Sequence, residues 1–208
     1  MTPTSPLFSE LFNSSEIRIR QRRELAELFG FETRNKYEIR SERDHVIGFC
    51  AEQNKGLLGF FLRQTLGHWR SFEIHFFDDH RQLQVVARHP FRWFFQKLEV
   101  STPSGRNLGC IVQRFGVFTK KFDVFNPAGE LLFEMRSGLF SFWSFPIKRD
   151  NQVIARIAKR WSGILKETFL DADNFRIEFR SELKLEEKVL ILVAGMFVDL
   201  QYFEKKSR

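Results

Sequence analysis

Cysteine is nearly absent: Cys50 and Cys110 are the only two in 208 residues. Two thiols build no disulfide framework and no CxxC pair offers a zinc site, so a reducing, intracellular compartment is expected. Long hydrophobic runs are lacking too. The main one, Val189 to Val198, is ten residues, where a bilayer crossing needs about 20. Met1 to Leu7 has neither a basic stretch nor a long apolar one, so no secretion signal is expected. The chain holds no GxSxG, P-loop or GxGxxG motif, and His45, His68, His75, His80 and His89 make no HExxH or HxxxH spacing. With no hydrolase or transferase constellation and no evident small-molecule substrate, an enzymatic role is not expected. His75 and His80 flank Asp78 and Asp79, a grouping that suits a metal or a polar turn equally.

What is present is basic and rich in phenylalanine. Phe occurs 26 times against two Tyr, and the formal net charge is +7 with a pI near 9.6. A positive balance fits polyanionic partners, of which an anionic phospholipid membrane is preferred and nucleic acid is the alternative.

The run Val189–Val198 has no polar side, so a helix there cannot lie on a surface with one face in water. Ten to fourteen apolar residues make a buried core helix more often than a membrane span. Asp199 counts further against lipid on all sides, so single-pass insertion is disfavoured. A helix over 185–203 is therefore expected at the centre of the protein, with Val189, Leu190, Leu192, Val193, Met196 and Phe197 sheathed by the rest of the chain.

That sheath is β. From Tyr37 onward an alternating strand, a turn rich in Pro, Gly, Asp or Asn and a second apolar strand recur, with hairpins beginning at Tyr37, Phe72, Leu98, Phe122 and Phe145. A last alternating run, Phe175–Phe179, precedes the apolar helix. The expected fold is mainly β, a closed antiparallel barrel of about twelve strands around the C-terminal helix, because closure removes the sheet edges. Before it, residues 1–30 are expected to form an extension with an amphipathic helix over Glu16–Phe29. Ile17, Leu25, Leu28 and Phe29 would make its apolar stripe, with Arg18, Arg20, Arg22 and Arg23 opposite and Gly30 as the stop. The barrel domain then spans 31–208.

Three stretches carry a resemblance. Gly30–Ile39 (GFETRNKYEI), Lys159–Glu167 (KRWSGILKE) and Asp171–Phe179 (DADNFRIEF) are similar to segments of the phospholipid scramblase family, and the likeness extends from about residue 16 to Glu204. The resemblance implies a tubby-like barrel around a central helix and an activity of calcium-dependent, ATP-independent, bidirectional phospholipid movement between leaflets. The competing reading is a tubby-like module that binds phosphoinositide, other anionic lipid or nucleic acid without transport.

The family's calcium segment falls on Asp171, Asp173, Phe175, Ile177, Phe179 and Glu182. Asp171, Asp173 and Glu182 occupy positions 1, 3 and 12 of an EF-hand-like loop, which would offer carboxylate oxygens to a hard cation. The alternation Phe175/Ile177/Phe179 also reads as an ordinary half-buried strand. Animal members carry cysteine clusters where this chain has Phe91-Arg92-Trp93-Phe94-Phe95 and the stretch containing Phe140, Phe142 and Trp143, so acylation there is excluded. Aromatic rings beside arginine suit the lipid headgroup layer, and the two stretches are expected to form one membrane-facing patch, unless alternate residues turn into the barrel.

Overall fold

A computed structural model of the chain describes residues 5–21, 36–53, 71–90, 95–116, 119–137, 144–159, 174–180 and 182–202. Helix α1 (Pro6–Asn13) is followed by twelve strands. These are β1 (Glu16–Gln21), β2 (Lys36–Ser41), β3 (Val46–Gln53), β4 (Phe72–Asp78), β5 (Leu83–His89) and β6 (Lys97–Ser101), then β7 (Asn107–Arg114), β8 (Lys121–Phe125), β9 (Leu131–Arg136), β10 (Ser144–Arg149), β11 (Gln152–Lys159) and β12 (Asn174–Phe179). Helix α2 (Leu185–Tyr202) ends the described chain. Each strand pairs antiparallel with its sequence neighbours, and β1 pairs with β12, so the sheet is a closed barrel.

The expected helix over Glu16–Phe29 is corrected in its described part. Glu16–Gln21 is β1, the strand that closes the barrel, pairing Ile17 with both Ser41 and Ile177. The segment Glu-Ile-Arg-Ile-Arg-Gln alternates strictly, Ile17 and Ile19 being fully buried, and a period of two belongs to a strand. Arg18 and Arg20, expected on a helix face, are the outward residues of that strand. The short helix lies earlier, where Ser5 caps it, Pro6 begins it, and Leu7, Phe8 and Leu11 bury one side.

Four of the hairpins use one turn. In each, the first residue's carbonyl accepts from the amide of a fourth residue with positive φ: Asp44, Arg81, Gly105 or Gly129. The register then slips by one residue in every case, the bulge that a left-handed fourth residue produces. Side chains reinforce it: Asp78, Thr102 and Asn126 accept from the amides of Gln82, Arg106 and Glu130 at 2.8, 3.1 and 2.9 Å. Asp78 is thereby a turn residue. Its other oxygen takes Gln84 Nε2 at 2.8 Å, while His75 leans on Glu73.

These turns, together with the Asp150-Asn151 turn, gather at one end of the barrel, since every strand reverses direction. Helix α2 starts at that end and runs through the lumen. Glu187 accepts from the Lys184 amide at 2.9 Å and pairs with Arg149, which caps the helix and suits the positive end of its dipole. All of Val189–Val198 is buried, including Val189, Leu190, Leu192, Val193, Met196 and Phe197. Gly195 lets β12 come close: a Cβ there would meet Phe175 at 3.0 Å and Ile177 at 3.1 Å.

Candidate membrane interface

Strand direction sorts the residues of this barrel by end, and the two ends differ in charge. Opposite the tight turns, the twelve strand termini include Lys36, Lys97, Arg114, Lys121, Arg136 and Lys159, of which Lys36 is buried, and none is Asp or Glu. At the turn end the termini include Arg149 as their one cation and the acids Glu16 and Asp78. Three of the cations stand in a row. Arg114 on β7 lies directly opposite Lys121 on β8, which lies directly opposite Arg136 on β9. Like charges facing each other across strands are destabilising. Flanking acids partly offset this, Arg114 bonding Asp123 and Arg136 bonding Glu134, each at 2.6 Å. Both arginine side chains are more than half exposed, so these pairs exchange readily with other anions.

Beside this cationic rim stand two bare aromatic side chains. Phe115, next to Arg114, is 73% exposed, and Phe95, two residues before Lys97, is 53% exposed with φ 45°. Residues 91–94 and 138–143 lie outside the described residues, which takes in Phe91, Arg92, Trp93, Phe94, Phe140, Phe142 and Trp143. The strand ends that flank them, His89 with Lys97 and Arg136 with Ser144, all belong to the same rim. Of the expected patch, Phe95 is described, and it points to solvent.

Inside the rim the lumen is closed by polar and aromatic contacts on the last turns of α2. Tyr37 donates to Asp199 at 2.9 Å, both residues being at most 4% exposed. Phe197 packs on Phe72, His89 and Phe122, and Phe72 stacks on His89 at 4.6 Å. Cys50 faces Tyr37 across the β2–β3 pair, and burial with Asp199 nearby pushes its thiol well above the ordinary range. A thiol held protonated there is a packing group, not a nucleophile.

A family model for the scramblases matches residues 2–205. The chain belongs to the scramblase family. It is 32% identical to human phospholipid scramblase 1 over 96% of this chain and 66% of that protein. Against bovine phospholipid scramblase 2 the identity is 30%, covering 96% of this chain and 72% of the relative. A Schizosaccharomyces pombe phospholipid scramblase family protein is 21% identical, over 98% of this chain and 62% of the relative. This scramblase chain thus spans about two thirds of the length of the curated relatives it matches. No solved structure matches it significantly.

The segment expected to hold calcium divides along β12. Phe175, Ile177 and Phe179 are buried in the barrel interior, the first two against α2, and their side chains offer a cation no oxygen. Glu182 is exposed at the turn end. Asn174, directly after Asp173, begins β12 at the rim, and the extended strand between it and Glu182 covers about 20 Å. Asp171 and Asp173 lie outside the described residues. The described residues therefore do not fit one loop wrapped around a cation, and no step is assigned to calcium. Among them no group of three His, Cys, Asp or Glu could hold a metal.

The rim was not legible as a site in the sequence. Its cations are scattered from Lys36 to Lys159, and only the alternation of strand direction collects them.

Proposed function

We propose that this scramblase-family chain docks its cationic rim on an anionic phospholipid membrane and, docked, moves phospholipid between leaflets without ATP. The observation that carries the docking is the division of charge between the barrel ends: among the described side chains that reach the surface, the strand termini Lys97, Arg114, Lys121 and Arg136 lie at the rim, against Arg149 alone at the turn end. A basic residue held near an anionic bilayer contributes about 1 kcal/mol, and Phe95 and Phe115 supply the apolar contact that charge alone lacks. The names of the relatives, phospholipid scramblases 1 and 2, point to the transport.

A second reading is favoured by one observation. Helix α2 fills the lumen, and among the described residues no helix is long and apolar enough to cross a membrane. A headgroup then has no route through the barrel, which suits a module that binds anionic lipid and transports nothing.

Vesicles carrying fluorescent lipid in both leaflets, treated with dithionite, separate the two. Bleaching that proceeds beyond the outer-leaflet fraction when the protein is added supports transport. Bleaching that stalls there, in vesicles that retain the protein, selects the binding module. Failure of the protein to co-sediment with anionic vesicles would reject docking itself.

A further inference from the structure

We propose that a groove on the outer wall of the barrel seats the headgroup of an amine-bearing phospholipid, with Arg88 and Lys97 meeting the phosphate and Glu99 the amine. The inference rests on the membrane-docking reading and names the ligand of a second place on the same molecule.

The groove holds about 630 Å³ and runs along the outside of β6, between β5 and the turns that join β6 to β7 and β8 to β9. Barrel walls are convex outside, so a concavity of ligand size there requires a cause. Two features supply it. The turns at Thr102–Arg106 and Asn126–Glu130 form one end, with Pro103 and Pro127 among the lining residues. At the other end Arg88 lies directly opposite Glu99 across the β5–β6 pair, yet its guanidinium bonds Glu73 on β4 at 2.9 Å. Between the two ends the floor is lined by the short side chains of Ser101 on β6 and Cys110 on β7.

The lining carries both signs of charge in a short space. Lys97 bonds Glu99 at 2.8 Å, and Arg88 is 62% exposed. A phosphodiester with an ammonium group a few bonds away presents the complementary pair. A purely anionic ligand would meet Glu99, and a purely cationic one would meet Arg88 and Lys97. The location matters as much as the chemistry. Lys97 is a rim terminus and exposed Phe95 stands two residues before it, so the charged end of the lining lies toward the rim proposed to touch the membrane, and the two turns lie away from it. The groove offers a headgroup polar company outside the barrel, where the plugged lumen offers none.

The test uses the full chain, labelled with nitrogen-15 and titrated with water-soluble glycerophosphoethanolamine or with glycerol 3-phosphate. Glycerophosphoethanolamine should shift the amides of Glu99, Ser101, Gly105 and Asn107. Glu99→Gln should weaken that response about fivefold, the upper end for a partly exposed ion pair, and strengthen the response to glycerol 3-phosphate, which no longer meets a carboxylate. Ser101→Trp, which fills the groove from its floor, should abolish both. In parallel, sedimentation with vesicles of phosphatidylglycerol alone reports the rim and should be unchanged in Ser101→Trp and no weaker in Glu99→Gln, which removes an acid beside Lys97. With added phosphatidylethanolamine, wild type alone should bind more tightly. Shifts absent from the groove, or equal for the two soluble compounds and indifferent to Glu99→Gln, would overturn the proposal. Loss of phosphatidylglycerol binding by wild type would instead overturn the docking reading while leaving the amide shifts to decide the groove.

Discussion

The hydroxyl of Tyr37, near the start of β2, donates to the carboxylate of Asp199 at 2.9 Å, across 162 residues of sequence. Asp199 lies in the last turn of α2, where the helix dipole disfavours a negative charge, and it is 4% exposed. A hydrogen bond to a buried charged group is among the stronger ones, so the contact ties the end of the helix to the wall. Tyr37→Phe is expected to lower stability by about 1–3 kcal/mol in urea unfolding. The double variant with Asp199→Asn should cost less than the sum of the singles, with a coupling of about 1 kcal/mol. Strict additivity would show that the bond contributes nothing.

At the other end of α2, Lys188 donates to the carbonyls of Phe12 and Ser14 at 2.7 and 2.8 Å and lies 4.7 Å from the Phe179 ring centre. It holds the last turn of α1 against the mouth of the barrel. Lys188→Met leaves those carbonyls without this donor and should cost about 1–3 kcal/mol. Burial also pushes the ammonium below the ordinary lysine value of 10.5. In that interval the unfolded chain binds more protons than the folded one at this position, so stability from this group rises with pH. The gap between wild type and Lys188→Met should widen as pH climbs toward 10.5. A gap that narrows over that range would mean the buried charge is favoured rather than penalised.

The barrel and its plug were legible in the sequence because each is written in a local pattern. Phe72-Glu73-Ile74-His75-Phe76 alternates and then turns at Asp78, and the hairpin follows from those few residues. Val189–Val198 has no polar face, so its burial follows from composition alone. Glu16–Gln21 is ambiguous in the sequence for a physical reason: Ile17 fits a helical stripe with Leu25 and Leu28 as well as a strand with Ile19, and six residues give the shorter period little room to assert itself. The groove beside β6 was invisible because its lining comes from β5, β6, β7 and two separate turns, which only strand pairing brings together. Neither the rim nor the groove has a contiguous motif.

The row Arg114–Lys121–Arg136 predicts opposite effects on stability and on binding. Lys121→Gln removes the middle charge of three that repel across the sheet. Stability should stay level or rise by up to about 0.5 kcal/mol. Binding to anionic vesicles should weaken about fivefold, as expected for one cation near a charged bilayer. Phe115→Ser, at a side chain already 73% exposed, should likewise weaken vesicle binding and leave the urea midpoint unchanged. Equal loss of stability and binding in either variant would assign these residues to the fold and remove the rim as an interface.

Glu182 offers the sharpest test of the calcium expectation. Its carboxylate belongs to the turn end of the barrel, whereas the strand end that follows Asp173 belongs to the rim, and β12 is extended between them. The strand is held on both sides, by β1 and by β11, with Phe175, Ile177 and Phe179 buried in the core. Coiling the described residues of the segment, from Asn174 to Phe179, into a loop would require unzipping both ladders and exposing three large side chains, a cost of several kcal/mol at about 1.5–3 kcal/mol for each. Weak cation binding, of the kind that a few carboxylates on a flexible site give, cannot supply that much. Glu182→Gln should therefore leave any calcium stimulation of vesicle binding within about twofold of wild type. Isothermal titration with calcium would check the same point without vesicles. A loss of tenfold or more in Glu182→Gln, with the fold intact, would mean that β12 releases from the barrel when calcium binds, and that the closed cylinder is only one of two states.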